Sequence, residues 1–307
     1  MRRHAHSYLP LLLALAAIWG ASYLFIKVGV RDFAPTTFIA LRMLIAAVPL
    51  FVLLCLRTGV RRAVADVRDS GRDGLVLGLI NGAIPFTLIA WGEKHIDSGV
   101  AAIANSTVPI FVALLAIKFR PTERASGFRL VGILLGLLGV GVLAGVQPEG
   151  GMWAVFGTLA VVLASLSYAA GGLYGQWRTA HAPGPVLATT NLICGGLILL
   201  PFGLAQLPDH MPGWKPIASL LALALLGTAL AQLIMFRMLR LYGAARTSLV
   251  TYLMPGFAVF YGAVFLGESI TAASIAGLVF ILAGVALGSG VIRPWWRRRE
   301  EAVGTVP

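Results

Sequence analysis

Residues 95–118, HIDSGVAAIANSTVPIFVALLAIK, and residues 241–264, LYGAARTSLVTYLMPGFAVFYGAV, are two copies of one pattern. Laid on each other, they place Pro109 on Pro255 and Phe111 on Phe257. A shift of one residue further along puts Glu123 on Glu268, Gly132 on Gly277, Leu137 on Leu282, Gly139 on Gly284 and Val140 on Val285. The match is weaker upstream, where Ala34-Pro35 falls on Ala182-Pro183. The chain therefore reads as a duplication, and a duplication decides architecture before any motif does.

What is duplicated follows from composition. Of the 307 residues, 58% are hydrophobic and 12% charged, with a mean hydropathy of +0.87. A globular domain is about 45–50% apolar and about 25% charged, so this chain lacks the polar surface of a soluble protein and the polarity of a disordered one. A membrane-spanning helix needs roughly 20 apolar residues. Ten such runs are present: residues 9–30, 36–56, 74–91, 100–117, 128–146, 153–174, 186–205, 217–236, 247–266 and 272–292. The short connectors leave no room for a soluble domain. Cys55 and Cys194 both lie in apolar runs and read as small core residues. The expected fold is an all-α polytopic membrane protein of ten transmembrane helices.

Each copy holds five spans, and an odd number reverses the side on which the second copy begins. The halves are therefore expected to be inverted repeats, residues 1–146 and 147–292, followed by a basic tail, residues 293–307. Charge gives the orientation. Nineteen of the 24 Lys and Arg residues fall in alternate connections and both ends of the chain: Arg2, Arg3, residues 57–72, 118–129, Arg178, residues 237–246 and 293–299. The opposite loops hold Arg31, Lys94 and Lys215 beside Asp32, Glu93, Asp97, Glu149, Asp209 and Glu268. The positive-inside rule then puts both termini in the cytoplasm, with Glu123 on the cytoplasmic side and its counterpart Glu268 on the outer side. The net charge of +12 is thus a topology signal, which removes nucleic acid as a partner. The apolar run after Met-Arg-Arg is longer than a signal-peptide core and has a partner in the second repeat, so it reads as the first span.

Inverted repeats point to a secondary transporter that exchanges inward-open and outward-open states. The residues also resemble a known family. Trp19-Gly20-Ala21-Ser22-Tyr23, Ala40-Leu41-Arg42, Gly99-Val100-Ala101-Ala102 leading to Pro109, and Leu266-Gly267-Glu268 with Gly277 and Leu282-Ala283-Gly284-Val285 are similar to the EamA-type members of the drug/metabolite transporter superfamily. The resemblance covers nearly the whole chain. It implies ten helices in two inverted five-helix repeats, a central cavity, and export of amino acids or related metabolites across a bacterial inner membrane. One departure is Ser269, where a basic residue commonly follows the glutamate, so no salt bridge is expected there.

No lysine sits in a phosphate-cradling loop, so no nucleotide, cofactor or metal is expected and the chain is not read as an enzyme. The Gly139-Val-Gly141-x-x-Ala144 string lies inside a span and reads as helix packing, as do Gly74/Gly78/Gly82, Gly132/Gly136 and Gly284/Gly288. Trp19, Tyr23 and Lys27 recur every four residues with Ser22 beside them, which lines them along one helix face. Arg42 lies about 9 Å into the second span. Intramembrane cations are functional candidates, and Arg42 with Lys27 would offer a carboxylate-bearing substrate a positive cavity; Lys27 snorkelling outward and Arg42 in a structural contact are the bland alternatives. Asn81, Asn105, Asn191 and Gln232 supply further polarity, and Tyr168 and Tyr252 candidate pocket walls. Pro109 and Pro255 mark hinges or kinks in the fourth and ninth spans.

Three functional classes follow: a secondary exporter of amino acids or similar metabolites, with proton or counter-substrate coupling open; an exporter of cationic drugs; and, from another class, a channel or membrane enzyme. The expected partners are a small-molecule substrate and the lipid bilayer, with a monomer or homodimer as the working unit.

Overall fold

The computed structural model describes residues 5–119, 128–145, 151–179 and 182–288, all of it helix and connecting turns. The first half runs α1 (Ala5–Gly29), α2 (Pro35–Thr58), α3 (Val60–Asp69), α4 (Gly71–Gly92), α5 (Ser98–Asn105), α6 (Val108–Phe119) and α7 (Phe128–Gly145). The second runs α8 (Gly151–Arg178), α9 (Gly184–Leu204), α10 (Trp214–Tyr242), α11 (Val250–Leu266) and α12 (Ala272–Gly288), with one turn of helix, Ala244–Thr247, ahead of α11. Among the described residues seven helical stretches are long and apolar enough to cross a membrane, and three shorter apolar ones lie in α7, α11 and α12. Glu123, Glu149 and the tail from residue 293 lie outside the described residues.

Neighbouring helices come in pairs related by exchanging the halves. α1 packs on α11 as α8 packs on α5 and α6; α1 packs on α10 as α8 packs on α4; α2 packs on α10 as α9 packs on α4. Two pairings map onto themselves, α2 with α9 and α7 with α12. The second of these is a glycine seam. A Cβ at Gly284 would lie 2.5 Å from Gly132 O and 2.6 Å from Gly136 N, and one at Gly139 would lie 3.0 Å from Gly277 O. Only glycine lets the two backbones approach this closely, which is how helices associate where lipid removes the hydrophobic drive. The same holds between α4 and α9, where a Cβ at Gly78 would lie 2.7 Å from Gly195 N. Gly141 faces open space, so it is not one of the packing glycines.

Three local features differ from the sequence expectation. The basic stretch after α2, read as a connector, contains α3, whose Ala63 is buried with Leu54 and Val186 while Val60 and Val64 stay exposed. The fourth span is broken at Ser106 and Thr107, so Pro109 occupies the first turn of α6, where a missing N–H costs nothing. The carbonyl that Pro109 leaves free, Asn105 O, accepts from Ser165 Oγ on α8 at 3.3 Å. Pro255 lies inside α11, and the break there falls earlier, at Ser248 and Leu249.

Candidate functional site

A buried polar group forms where α1, α2, α4, α5, α8 and α10 meet. Arg42 on α2 is only 5% exposed. Its Nε donates to Thr228 Oγ1 on α10 at 3.0 Å, and its Cζ lies 3.9 Å from the centre of the Phe86 ring on α4. Thr228 Oγ1 in turn donates to Leu223 O at 2.9 Å, five residues back, within the π-helical stretch Leu223–Leu230. That widened turn supplies the carbonyl that fixes the threonine, and the threonine fixes the guanidinium. Tyr168 on α8 meets the Phe86 ring edge-on at 6.1 Å. The two terminal nitrogens of Arg42 bond no described residue.

Tyr23, one turn before Lys27 on α1, is 4% exposed. Its hydroxyl accepts from Asn105 Nδ2 at 2.8 Å, and Asn105 Oδ1 accepts from Ser165 Oγ at 3.1 Å. This chain ties α1 to the broken end of α5 and to α8. A second π turn, Leu79–Ala83 in α4, precedes Pro85, which offers it no N–H; Ser167 Oγ on α8 donates to Ile80 O there at 2.6 Å. Asn81 lies in that turn with its side chain against Gly171. Asn191 Oδ1 and Gln232 Oε1 are buried without a hydrogen-bond partner.

The remaining sequence candidates spread outward. Trp19 bridges the two largest hydrophobic clusters. Ser22 is buried but turns its hydroxyl back to Ile18 O at 3.3 Å. Tyr252 packs on the rim of the main core. Lys27 sits apart from Arg42, at the end of the bundle holding residues 93–97. Its Nζ donates to Glu93 O and to Ile96 O, each at 2.7 Å, capping the carbonyl end of α4.

That end of the bundle holds the feature sequence reasoning missed. Glu93 is 0% exposed, and neither carboxylate oxygen has a partner. Burial pushes its carboxyl well above the usual carboxylate range; Lys27 opposes the shift, Glu268 adds to it, and Arg42 opposes it. Glu268 arrives from the second half of the chain. Gly267 takes the left-handed conformation at φ 70°, ending α11 and swinging Glu268 over the start of α5. There Glu268 Oε1 accepts from Ser98 N at 2.8 Å, and Oε2 accepts from Ser98 Oγ at 2.8 Å and Gly99 N at 3.2 Å. The position that lacks the basic neighbour thus serves as a helix cap in place of a salt bridge. Beside it His95 stacks on Trp153 at 5.2 Å and leans on Trp91 at 4.7 Å.

Thr228, Phe86 and Ser165 also escaped the sequence reading. A threonine in LALLGTAL or a phenylalanine in IPFTLIAWG carries no signal until its neighbour is known.

Known proteins are similar along the whole length. The family model described as the EamA-like transporter family matches residues 6–145 and again 155–290. The uncharacterized transporter YoaV of Bacillus subtilis is 26% identical over 91% of this chain and 95% of its own. A probable amino-acid metabolite efflux pump of Salmonella typhimurium is 29% identical over 90% and 92%, and the uncharacterized inner membrane transporter YedA of Escherichia coli 27% over 90% of each. A solved crystal structure superposes with a TM-score of 0.65 at 18% identity, covering 96% of this chain and 99% of the other, which shows a shared fold.

Proposed function

Because the chain belongs to the EamA-like transporter family, a membrane transporter built of two EamA repeats, we propose that it exports amino acids or related carboxylate-bearing metabolites across a bacterial inner membrane. The observation that carries this reading is Arg42. A guanidinium has five N–H donors in a planar fork. Here Nε is spent on Thr228 and one face on Phe86, which fixes the plane and leaves the two terminal nitrogens for a bidentate carboxylate contact. Tyr23 and Tyr168 lie near that guanidinium and Asn105 holds the Tyr23 hydroxyl; with Asn81, Asn191, Gln232 and Tyr252 they are the candidate walls of the substrate cavity. The probable amino-acid metabolite efflux pump among the relatives supports the substrate class.

The mechanism is alternating access between inverted halves, residues 1–146 and 147–292. The three shorter apolar helices complete ten spans, and both termini and the tail from residue 293 face the cytoplasm. The exchange-related helix pairings support this, since two packings that differ only by swapping the halves lie close in energy. One observation favours a second reading, efflux of cationic compounds: Glu93 is a carboxylate buried at the end of a span, as proton-for-cation exchange would need. Purified protein in liposomes, offered radiolabelled amino acids and a cationic dye, separates the two. Uptake of amino acids that Arg42→Ala abolishes supports the first, and dye movement alone overturns it.

A further inference from the structure

Glu93 plays no part in the contacts around Arg42, yet its surroundings are unusual. The carboxylate is wholly buried with both oxygens unpartnered, and Lys27 beside it gives its hydrogen bonds to the main chain of residues 93 and 96. No salt bridge joins Lys27 to the Glu93 carboxylate, although both residues are fully described. An ionised carboxylate in such a place would forgo both water and hydrogen bonds, a cost that proteins avoid by keeping the acid neutral.

Among the described residues the charged and titratable groups facing it are few. They are Lys27 and Tyr23 from α1, Arg42 from α2, and Glu268 from the turn after α11. Its own connection carries Lys94, His95 and Asp97, while the α8 residues packed beside it, Gly157 and Val161, are uncharged.

Both halves meet around Glu93. Lys27 belongs to the first; α8, whose Gly157 and Val161 close on the preceding Gly92, and Glu268, which caps Ser98 and Gly99, belong to the second. Movement of one half against the other at this end disturbs these contacts and admits water to the acid. From this we infer that Glu93 is a proton-operated latch on this end of the transporter, protonated while the end is closed and releasing its proton to water when the end opens. The inference rests on the transporter reading above and adds a pH-dependent gate to it. In the release step the carboxyl O–H bond breaks, the proton passes to solvent, and the carboxylate left behind is hydrated and faces the Lys27 ammonium. Reclosing takes a proton back from the same water, so the pH at this end sets how readily it opens.

The test has two arms. In the first, the purified full chain in dodecyl maltoside, a detergent with no carbonyl group, is titrated while the infrared carbonyl band of protonated carboxylic acids is recorded. The wild type is expected to keep such a band at about pH 7, where an ordinary carboxyl with a pKa of about 4 has lost it. The band is expected to be lost in Glu93→Gln and retained in Glu93→Asp, which also reports on folding. No band in the wild type at that pH, or a band that survives in Glu93→Gln, overturns the inference. In the second arm, uptake of a panel of radiolabelled amino acids into liposomes is measured at acid and at alkaline pH, the same on both faces. Alkaline pH is expected to accelerate the wild type and to leave Glu93→Gln unaffected; equal acceleration in both, or none in either, overturns the inference. If the wild type moves no amino acid at all, the proposed substrate class falls and the infrared arm alone decides the role of Glu93.

Discussion

Two residues, Arg42 and Glu93, carry the proposed chemistry, and they were not equally visible. An arginine two turns into an apolar run is costly in lipid unless it is paired or faces a cavity, so Arg42 stands out in sequence. Glu93 lies two residues past an apolar run and reads as an outer-loop charge; its burial is not visible in the sequence, and one of the charges facing it, Glu268, is 175 positions away along the chain. Thr228 and Phe86 are ordinary span residues by type, and only the arginine placed against them gives them meaning. Arg42→Lys is expected to slow amino-acid uptake about tenfold or more, since an ammonium neither offers a planar fork nor stacks on Phe86, and a charge-assisted contact is worth about 1.5–3 kcal/mol. Initial uptake rates in liposomes check this. Glu93 predicts a pH dependence of stability. Its carboxyl is held above the unfolded value of about 4.3, so the folded protein binds the extra proton and stability is lost as pH rises from that value toward the folded one. Thermal unfolding in detergent should therefore show Glu93→Gln gaining on the wild type at alkaline pH and losing that advantage in acid.

Among elements, the helices themselves were legible and their interruptions were not. Ten apolar runs with the right spacing follow from hydropathy alone. The π turns at residues 79–83 and 223–230, the break at Ser106 and Thr107, and α3 depend on which carbonyls find partners elsewhere. Pro109 and Pro255 align in sequence, yet one begins a helix and the other lies within one, so matching prolines do not dictate matching geometry. Of the glycines read as packing, Gly74, Gly78, Gly82, Gly136, Gly139 and Gly284 do meet neighbouring helices, and Gly141, which does not, makes a controlled test. Gly284→Ala drives a methyl into the Gly132 and Gly136 backbone and is expected to destabilise by about 1–3 kcal/mol. Gly141→Ala meets nothing within 4 Å and is expected to be neutral or to stabilise by up to about 1 kcal/mol. Melting temperatures of the two variants in one detergent give the comparison. Glu268→Ala removes the cap of α5 and is expected to cost about 1 kcal/mol by the same measurement.

For the molecule as a whole, the duplication at residues 95–118 and 241–264 extends into three dimensions. Helix contacts repeat when the halves are exchanged, and the family model finds the two halves separately. The positive-inside pattern makes an independent prediction about orientation. Fusions of green fluorescent protein to either end are expected to fluoresce in the cytoplasm, while alkaline phosphatase fused at the same ends is expected to be inactive. The central claim is that a carrier moves carboxylate metabolites past Arg42, and counterflow tests it most directly. Liposomes holding wild-type protein and preloaded with an unlabelled amino acid are diluted into a trace of the same compound carrying label. The account predicts transient, saturable accumulation of label that Arg42→Ala abolishes. Flux that never saturates and needs no internal substrate, or accumulation that survives Arg42→Ala, would contradict it.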